Sequence, residues 1–166
     1  MFTKNDPHQT WQTIVSPGFE DSDRLWARGH PAMAVVRAVG TVEVFLKYSY
    51  FPYWHRKGPG DCRPPTAQEL QDLRYSFRKS AEKLFNRLRI PVREWDSWSR
   101  FVEAAYARNG IVHEGWPCTP EEAQKHVRSC GELAGDLMKY LAKAKRWDGR
   151  PTLSAQTLQA VVGAEP

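Results

Sequence analysis

The chain has 166 residues, a net charge of +5, and ordinary proportions of apolar (41%) and charged (26%) side chains. This length and composition fit one globular domain and exclude a wholly disordered protein. The apolar runs are far shorter than the ~20 residues that cross a bilayer. We expect no signal peptide, and the three cysteines without a C-x-x-C pair favour reduced thiols. A cytoplasmic protein with no membrane partner is therefore expected.

The positive charge is concentrated in residues 51–110, which hold twelve basic and seven acidic side chains, whereas the two signs balance elsewhere. It is densest along one predicted helix, where Glu82 is the only acid among Arg74, Arg78, Lys79, Lys83, Arg87, Arg89 and Arg93. Such a cluster is typical of a protein that binds a polyanion, although a solvated helix surface has the same composition.

Four segments have the apolar periodicity of helices, and no segment has a convincing strand pattern. The first, from Pro31 to about Phe51, carries an apolar band too broad for a surface helix, which predicts a central helix: Ala34, Val35, Ala38, Val39, Val42, Phe45 and Leu46. A loop rich in Pro and Gly follows at 52–65. Thr66 and Glu69 then have the spacing of a capping box, and apolar residues recur at helical steps until Pro91 ends the second helix.

The third helix is predicted from about Glu94, and the fourth begins with Thr119 as N-cap, Pro120 and an acid at the third position. Inward-facing residues are predicted on the third helix at Trp95, Trp98, Phe101, Val102 and Ala105, and on the fourth at Ala123, Val127, Cys130, Ala134, Leu137 and Leu141. The predicted fold is all-α: an antiparallel four-helix bundle over residues 21–147, with an N-terminal arm (1–20) and a C-terminal tail (148–166).

Arg108 and His113 are the residues whose chemistry suggests a reaction. On an ideal helix five steps separate two side chains by ~140°, so we expect Gly110 to end or distort the helix between them. Histidine transfers protons near neutral pH, and arginine grips a phosphate with two N–H groups. RNA supplies its own nucleophile, the 2′-OH, so neither a metal nor a cofactor is required. A charge placed at a helix end is the alternative explanation of the pair.

The run from Ala107 to Gly115, A-R-N-G-I-V-H-E-G, resembles the signature of the HEPN superfamily, an arginine, a polar residue and, after a few more residues, a histidine in an all-helical bundle. Arg108, Asn109 and His113 match its three positions. The resemblance implies a HEPN-like bundle and a metal-independent endoribonuclease that acts as a homodimer, with two motifs facing across a cleft. Many members are toxins or anti-phage defence effectors, and some have lost activity.

Two further positions are compared with the family. Toxin members that pair with a nucleotidyltransferase antitoxin carry a tyrosine where this chain has Gly115, so modification of such a tyrosine is not expected. Glu43 resembles an acidic residue that some members keep near the site on their first helix. A solvent-facing glutamate is the alternative.

Two other groups of residues were considered as sites. Trp54, Arg56 and Lys57 interleave an aromatic ring with cations, which suits RNA binding, although such a loop also packs its rings on a bundle. His113, Cys118, His126 and Cys130 contain zinc-ligand types, but their spacing matches no familiar zinc pattern and Cys130 lies in an apolar stripe, so no metal site is predicted.

The sequence therefore predicts an endoribonuclease in which Arg108 and His113 are catalytic and Asn109 orients one of them or contacts RNA. The flanking RNA backbone would lie on the basic helix, at Arg74, Arg78, Lys79, Lys83 and Arg87. The expected partners are RNA, a second copy of the chain, and an antitoxin or defence-complex protein. Two alternatives stay open: a catalytically silent HEPN-like module that binds RNA, a nucleotide or a protein, and an antitoxin or scaffold component.

Overall fold

The computed structural model describes residues 7–51, 66–75 and 77–143, and these residues contain helices and no strand. In chain order the helices are α1 (Pro7–Thr10), α2 (Ser16–Ala27), α3 (Pro31–Phe45), α4 (Ala67–Tyr75), α5 (Phe77–Arg87), α6 (Asp96–Glu114) and α7 (Pro120–Lys143). Two π-helical turns, Trp11–Val15 and Leu46–Tyr50, and a 3-10 turn, Val92–Glu94, complete the described elements. The all-α prediction is confirmed for these residues.

Helix α3 is the centre of the fold, as its broad apolar band predicts. It packs against α2, α6 and α7. Every residue of the predicted band is fully buried, and Tyr50 and Phe51 extend the core beyond the π-turn. The Phe51 ring contacts Phe85 of α5 at 4.8 Å, and Phe85 in turn contacts Trp98 of α6 at 5.4 Å, so aromatic rings join α5 and α6 to the end of the central helix.

Reciprocal capping boxes begin both α4 and α7, as predicted. The Thr66 N–H donates to Glu69 Oε2 at 2.8 Å, and the Glu69 N–H donates to Thr66 Oγ1 at 3.2 Å. Thr119 and Glu122 repeat the arrangement with the same two distances. Each box satisfies two backbone donors that a helix start leaves without partners.

The prediction that Pro91 ends the second helix was wrong. Helix α5 ends at Arg87, and Arg89 adopts a left-handed φ of 55°. The N–H of Ile90 then donates to the Phe85 carbonyl at 2.9 Å, and the N–H of Arg89 donates to the Asn86 carbonyl at 3.0 Å. This is a Schellman ending, and burial of Ile90 supplies its usual apolar anchor.

A helical stretch over residues 7–27 lies outside the four predicted helices. Within it, Val15 is fully buried, and a Cβ added to Gly18 would lie 2.3 Å from Thr41 Oγ1, so α2 approaches α3 closely at this glycine. The Ser22 hydroxyl donates to the Ala34 carbonyl at 2.8 Å inside the same contact. Residues 7–20 of the expected arm are therefore packed against the central helix. The expected tail at 148–166 lies outside the described residues.

Helices α6 and α7 form the other side of the bundle and have the inward faces expected of them. Trp98 and Phe101 are buried on α6, with Trp95, Val102 and Ala105 partly buried beside them. Five of the six predicted stripe residues of α7 are buried, and Val127 is partly buried. Within the described chain, no helix combines the length and apolarity that a membrane span requires.

Candidate functional site

Helix α6 carries Arg108, Asn109 and His113 without interruption, so the expectation that Gly110 ends or distorts the helix was wrong. The helix continues to Glu114 and ends at Gly115, which has a left-handed φ of 68°. Gly110 instead makes room for a ring: a Cβ there would lie 2.0 Å from Trp116 Cε3. Trp116 turns back over the helix, its backbone N–H donating to the Gly110 carbonyl at 3.2 Å.

The matched motif residues meet in one cleft although the helix is regular. Arg108, Asn109 and His113 all line a cleft of about 580 Å³, and Glu43 of α3 lines it from the opposite helix. The cleft is open enough to receive a ligand because it lies where the last turns of α6 pass the end of α3. The sequence prediction that Glu43 neighbours the motif is consistent with this placement.

An ion pair between Glu43 and Arg108 joins the two walls of the cleft. Arg108 Nη2 donates to Glu43 Oε1, and the side chains are 24% and 22% exposed respectively. Burial raises the pKa of the Glu43 carboxyl above its usual value, and the charge and hydrogen bond of Arg108 offset part of that rise. Arg108 Nε is buried without a hydrogen-bond partner, so the guanidinium keeps donor capacity that a phosphate oxygen can use.

Two residues of the π-turn that follows α3 also line the cleft, and sequence reasoning missed both. Lys47 and Tyr48 face it, and Lys47 Nζ lies 4.9 Å from the centre of the Tyr48 ring. Lys47 stands four residues after Glu43, which is a helix-neighbour spacing that could have drawn attention to it. The π-turn itself, which changes the direction of the side chains around it, leaves no clear pattern in the sequence.

A second, smaller cleft of about 270 Å³ adjoins the first and shares Glu43, Phe77, Arg108 and Asn109 with it. Its other lining residues are Arg78, Trp98, Phe101, Val102, Ala105 and Tyr106. Arg78 therefore links the basic helix α5 to the motif. Tyr106 stands at the rim, 67% exposed, and its ring contacts Trp116 at 5.4 Å.

Glu82 reduces the charge of the predicted RNA-binding helix. It accepts a hydrogen bond from Arg93 at 2.9 Å and forms an ion pair with Arg78 at 3.5 Å. Partial burial acts to raise the pKa of Glu82, but hydrogen bonds from Arg93 and Trp98, with the charges of Arg93 and Arg78, hold it below its usual value. Lys79 and Lys83 are exposed on the same helix. The surface of α5 is thus basic but partly neutralised at its centre.

The remaining predicted RNA-binding residues are placed differently. The Arg87 side chain is 13% exposed and pairs with Glu69 at 3.4 Å, where it lines a shallow cleft together with Lys83. The side chain of Arg74 and the loop residues Trp54, Arg56 and Lys57 lie outside the described part of the chain.

The zinc-ligand residue types do not gather within the described chain, where no group of three or more His, Cys, Asp or Glu side chains is placed to hold a metal ion. Cys130 is fully buried. Burial and the nearby charge of Glu43 raise the pKa of its thiol, so Cys130 is a neutral core residue. The Cys118 thiol contacts its neighbour's carbonyl, Thr119 O, at 3.6 Å.

Comparison of the chain with protein-family models, with curated proteins and with solved structures finds no match. The function is therefore argued from the cleft itself: a histidine, an asparagine and an arginine on one helix, facing a glutamate and a lysine at the end of another.

Proposed function

We propose that this protein is a metal-independent endoribonuclease with a HEPN-like bundle, formed by α3, the α4–α5 pair, α6 and α7. One observation carries the proposal. His113 and Arg108 line the same cleft although ~140° separates them on the helix, because the cleft wraps around the end of α6. A proton-transfer group and a phosphate-binding cation thus face one volume, as cleavage through a neighbouring 2′-OH requires.

The reaction assigns one role to each residue. His113 takes the proton from the 2′-OH or gives one to the departing 5′-oxygen. The 2′-oxygen forms a bond to phosphorus as the bond to the 5′-oxygen breaks, which leaves a 2′,3′-cyclic phosphate and a 5′-OH. Arg108 binds a non-bridging phosphate oxygen as charge grows on it, and Asn109 contacts the RNA or orients one of the two.

A homodimer fits this chemistry. Cleavage needs one group to accept a proton and another to donate one, and each copy of the motif supplies a single histidine. Two motifs facing each other would supply both groups. A toxin or an anti-phage effector, held inactive by an antitoxin or a defence-complex protein, is the biological role that the motif suggests.

A silent binding module is the second candidate, and the Glu43–Arg108 pair favours it. The carboxylate occupies one of the N–H groups that a phosphate would use, so RNA must compete with it or bind beside it. A module that merely binds RNA or a nucleotide tolerates such competition more readily than an enzyme does. The two candidates differ in whether any RNA is cut.

The test is RNA cleavage in EDTA, with analysis of the product ends. We expect fragments with a 2′,3′-cyclic phosphate and a 5′-OH, and no cleavage of RNA that carries 2′-O-methyl groups. Cleavage that EDTA abolishes, or that leaves a 3′-OH, would contradict the proposal. A wild-type protein that binds RNA without cutting it would support the silent module.

A further inference from the structure

The smaller cleft beside the motif has a composition that the cleavage chemistry does not explain. Its floor consists of Trp98 and Phe101, which are 3% and 1% exposed, and its walls are the partly buried Phe77, Val102 and Ala105. The Phe77 and Phe101 rings meet edge to face at 6.1 Å. None of these side chains can transfer a proton or bind a phosphate.

Groups that hydrogen-bond surround this apolar volume at its mouth. The Tyr106 ring is 67% exposed, and the Arg78 side chain is 69% exposed. Asn109 stands between them and also lines the larger cleft. An apolar slot with a phenol, a guanidinium and an amide at its rim is complementary to a flat ring system that has apolar faces and a polar edge.

We infer that the smaller cleft holds one unpaired nucleobase, that of a nucleotide next to the phosphate bound at Arg108. The assignment to the cleavage site rests on the proposed function. Arg108 and Asn109 line both clefts, so a base in one and a phosphate in the other lie on opposite sides of the same two side chains. This spacing fits one nucleotide and its own phosphate group.

The consequence is a preference for single-stranded RNA. A base in a duplex has both faces stacked and its edge paired, so only an unpaired base can be turned out into a slot. Stacking against protein rings tolerates different bases, because each base has a π-face. We therefore expect strong discrimination against duplexes and abasic chains, with weaker discrimination among bases.

The test compares two fluorescent ligands of equal length and charge, a short single-stranded 2′-O-methyl oligoadenylate and the corresponding abasic chain. The 2′-O-methyl groups prevent cleavage, so the assay measures binding alone. We expect the wild type to bind the base-bearing ligand about 5- to 150-fold more tightly, the range for one stacked base. The phosphate contribution cancels because both ligands carry the same backbone.

Two variants change the cleft in opposite ways. Tyr106→Ala removes the rim ring, and Ala105→Phe fills the slot without changing a charged residue. Both should bring the ratio of the two dissociation constants towards one, whereas Trp26→Ala, which removes a 41%-exposed ring from elsewhere on the surface, should leave it unchanged. Thermal unfolding checks the fold, and the high exposure of Tyr106 makes its variant safe to interpret.

The outcomes separate this inference from the proposed function. A wild-type ratio near one, or a high ratio that persists in both folded variants, would overturn the base-binding cleft even if the protein cleaves RNA. A ratio that collapses in both variants would support the cleft, even if ordinary RNA were left uncut and the proposed function failed.

Discussion

Replacing Arg108 with alanine should destabilise the fold as well as remove a functional group. The variant leaves the carboxylate of Glu43 mostly buried, without the guanidinium that now accepts its charge. Loss of one partner costs ~3–5 kcal/mol for a buried pair, whereas an exposed pair is worth ~0–1 kcal/mol. With side chains 24% and 22% exposed, the pair lies between these limits. We expect a loss of about 2 kcal/mol, or roughly 4–8 °C in melting temperature for a chain of this length.

The loss should depend on pH in a definite direction. Burial raises the pKa of Glu43 above its usual value of 4.5, and removal of Arg108 removes the interactions that oppose this rise. The folded state then binds more protons than the unfolded state, so stability falls as pH rises through the interval above 4.5. The cost of Arg108→Ala should therefore be largest near neutral pH and shrink as the pH falls below the usual glutamate value.

Urea unfolding followed by circular dichroism, near neutral pH and at about pH 4, measures both effects. The double variant Arg108→Ala/Glu43→Gln should recover part of the loss near neutral pH, because it removes the buried charge. Arg37→Ala is the matched control: its partner Asp21 lies at 3.1 Å, but the side chains are 46% and 44% exposed, so little stability should be lost. An unchanged stability of Arg108→Ala, or an equal loss at both pH values, would refute the reasoning.

Three further predictions concern the surface, the assembly and the turn beside the motif. Arg78→Glu with Lys83→Glu should weaken RNA binding and reduce its salt dependence by ~0.7 per phosphate contact without unfolding the protein; unchanged affinity in a fluorescence titration would assign α5 to solvation alone. Light scattering at micromolar concentration should detect a dimer, and a uniform 19.1 kDa species would argue against two facing motifs. Gly110→Ala should lower the melting temperature because its Cβ would meet the Trp116 ring at 2.0 Å, whereas Gly131→Ala, which has open space around it, should stabilise α7 by about 0.5–1 kcal/mol; equal shifts for the two variants would contradict the close approach.

The parts of the fold that could be predicted are those set by local patterns. The apolar band of α3, the stripe of α7 and both capping boxes depend on residues within a few positions of each other, so the sequence contains them completely. The helix over residues 7–27 was not predicted, since a π-turn at Trp11–Val15 interrupts the helical period of its apolar residues. The end of α5 was misplaced because a non-glycine residue, Arg89, adopts a left-handed conformation that sequence patterns seldom indicate.

The site was predictable as a set of residues but not as an arrangement. The motif identified Arg108, Asn109 and His113, and the resemblance drew attention to Glu43. Their common cleft depends on how α6 crosses α3, which is a tertiary property. The same limit explains Arg87, which the helical period leaves on a charged helix and the packing of α4 against α5 buries beside Glu69.

The rate of RNA cleavage by His113→Ala, relative to wild type and in the presence of EDTA, tests the central claim most directly. His30→Ala is the matched control, since His30 is exposed and is absent from the residues that line the cleft. If His113 transfers a proton in the reaction, its replacement should slow cleavage by ~10²–10⁴-fold, while His30→Ala should cleave at the wild-type rate. Equal rates for wild type and His113→Ala would contradict the assignment of the cleft as the active site.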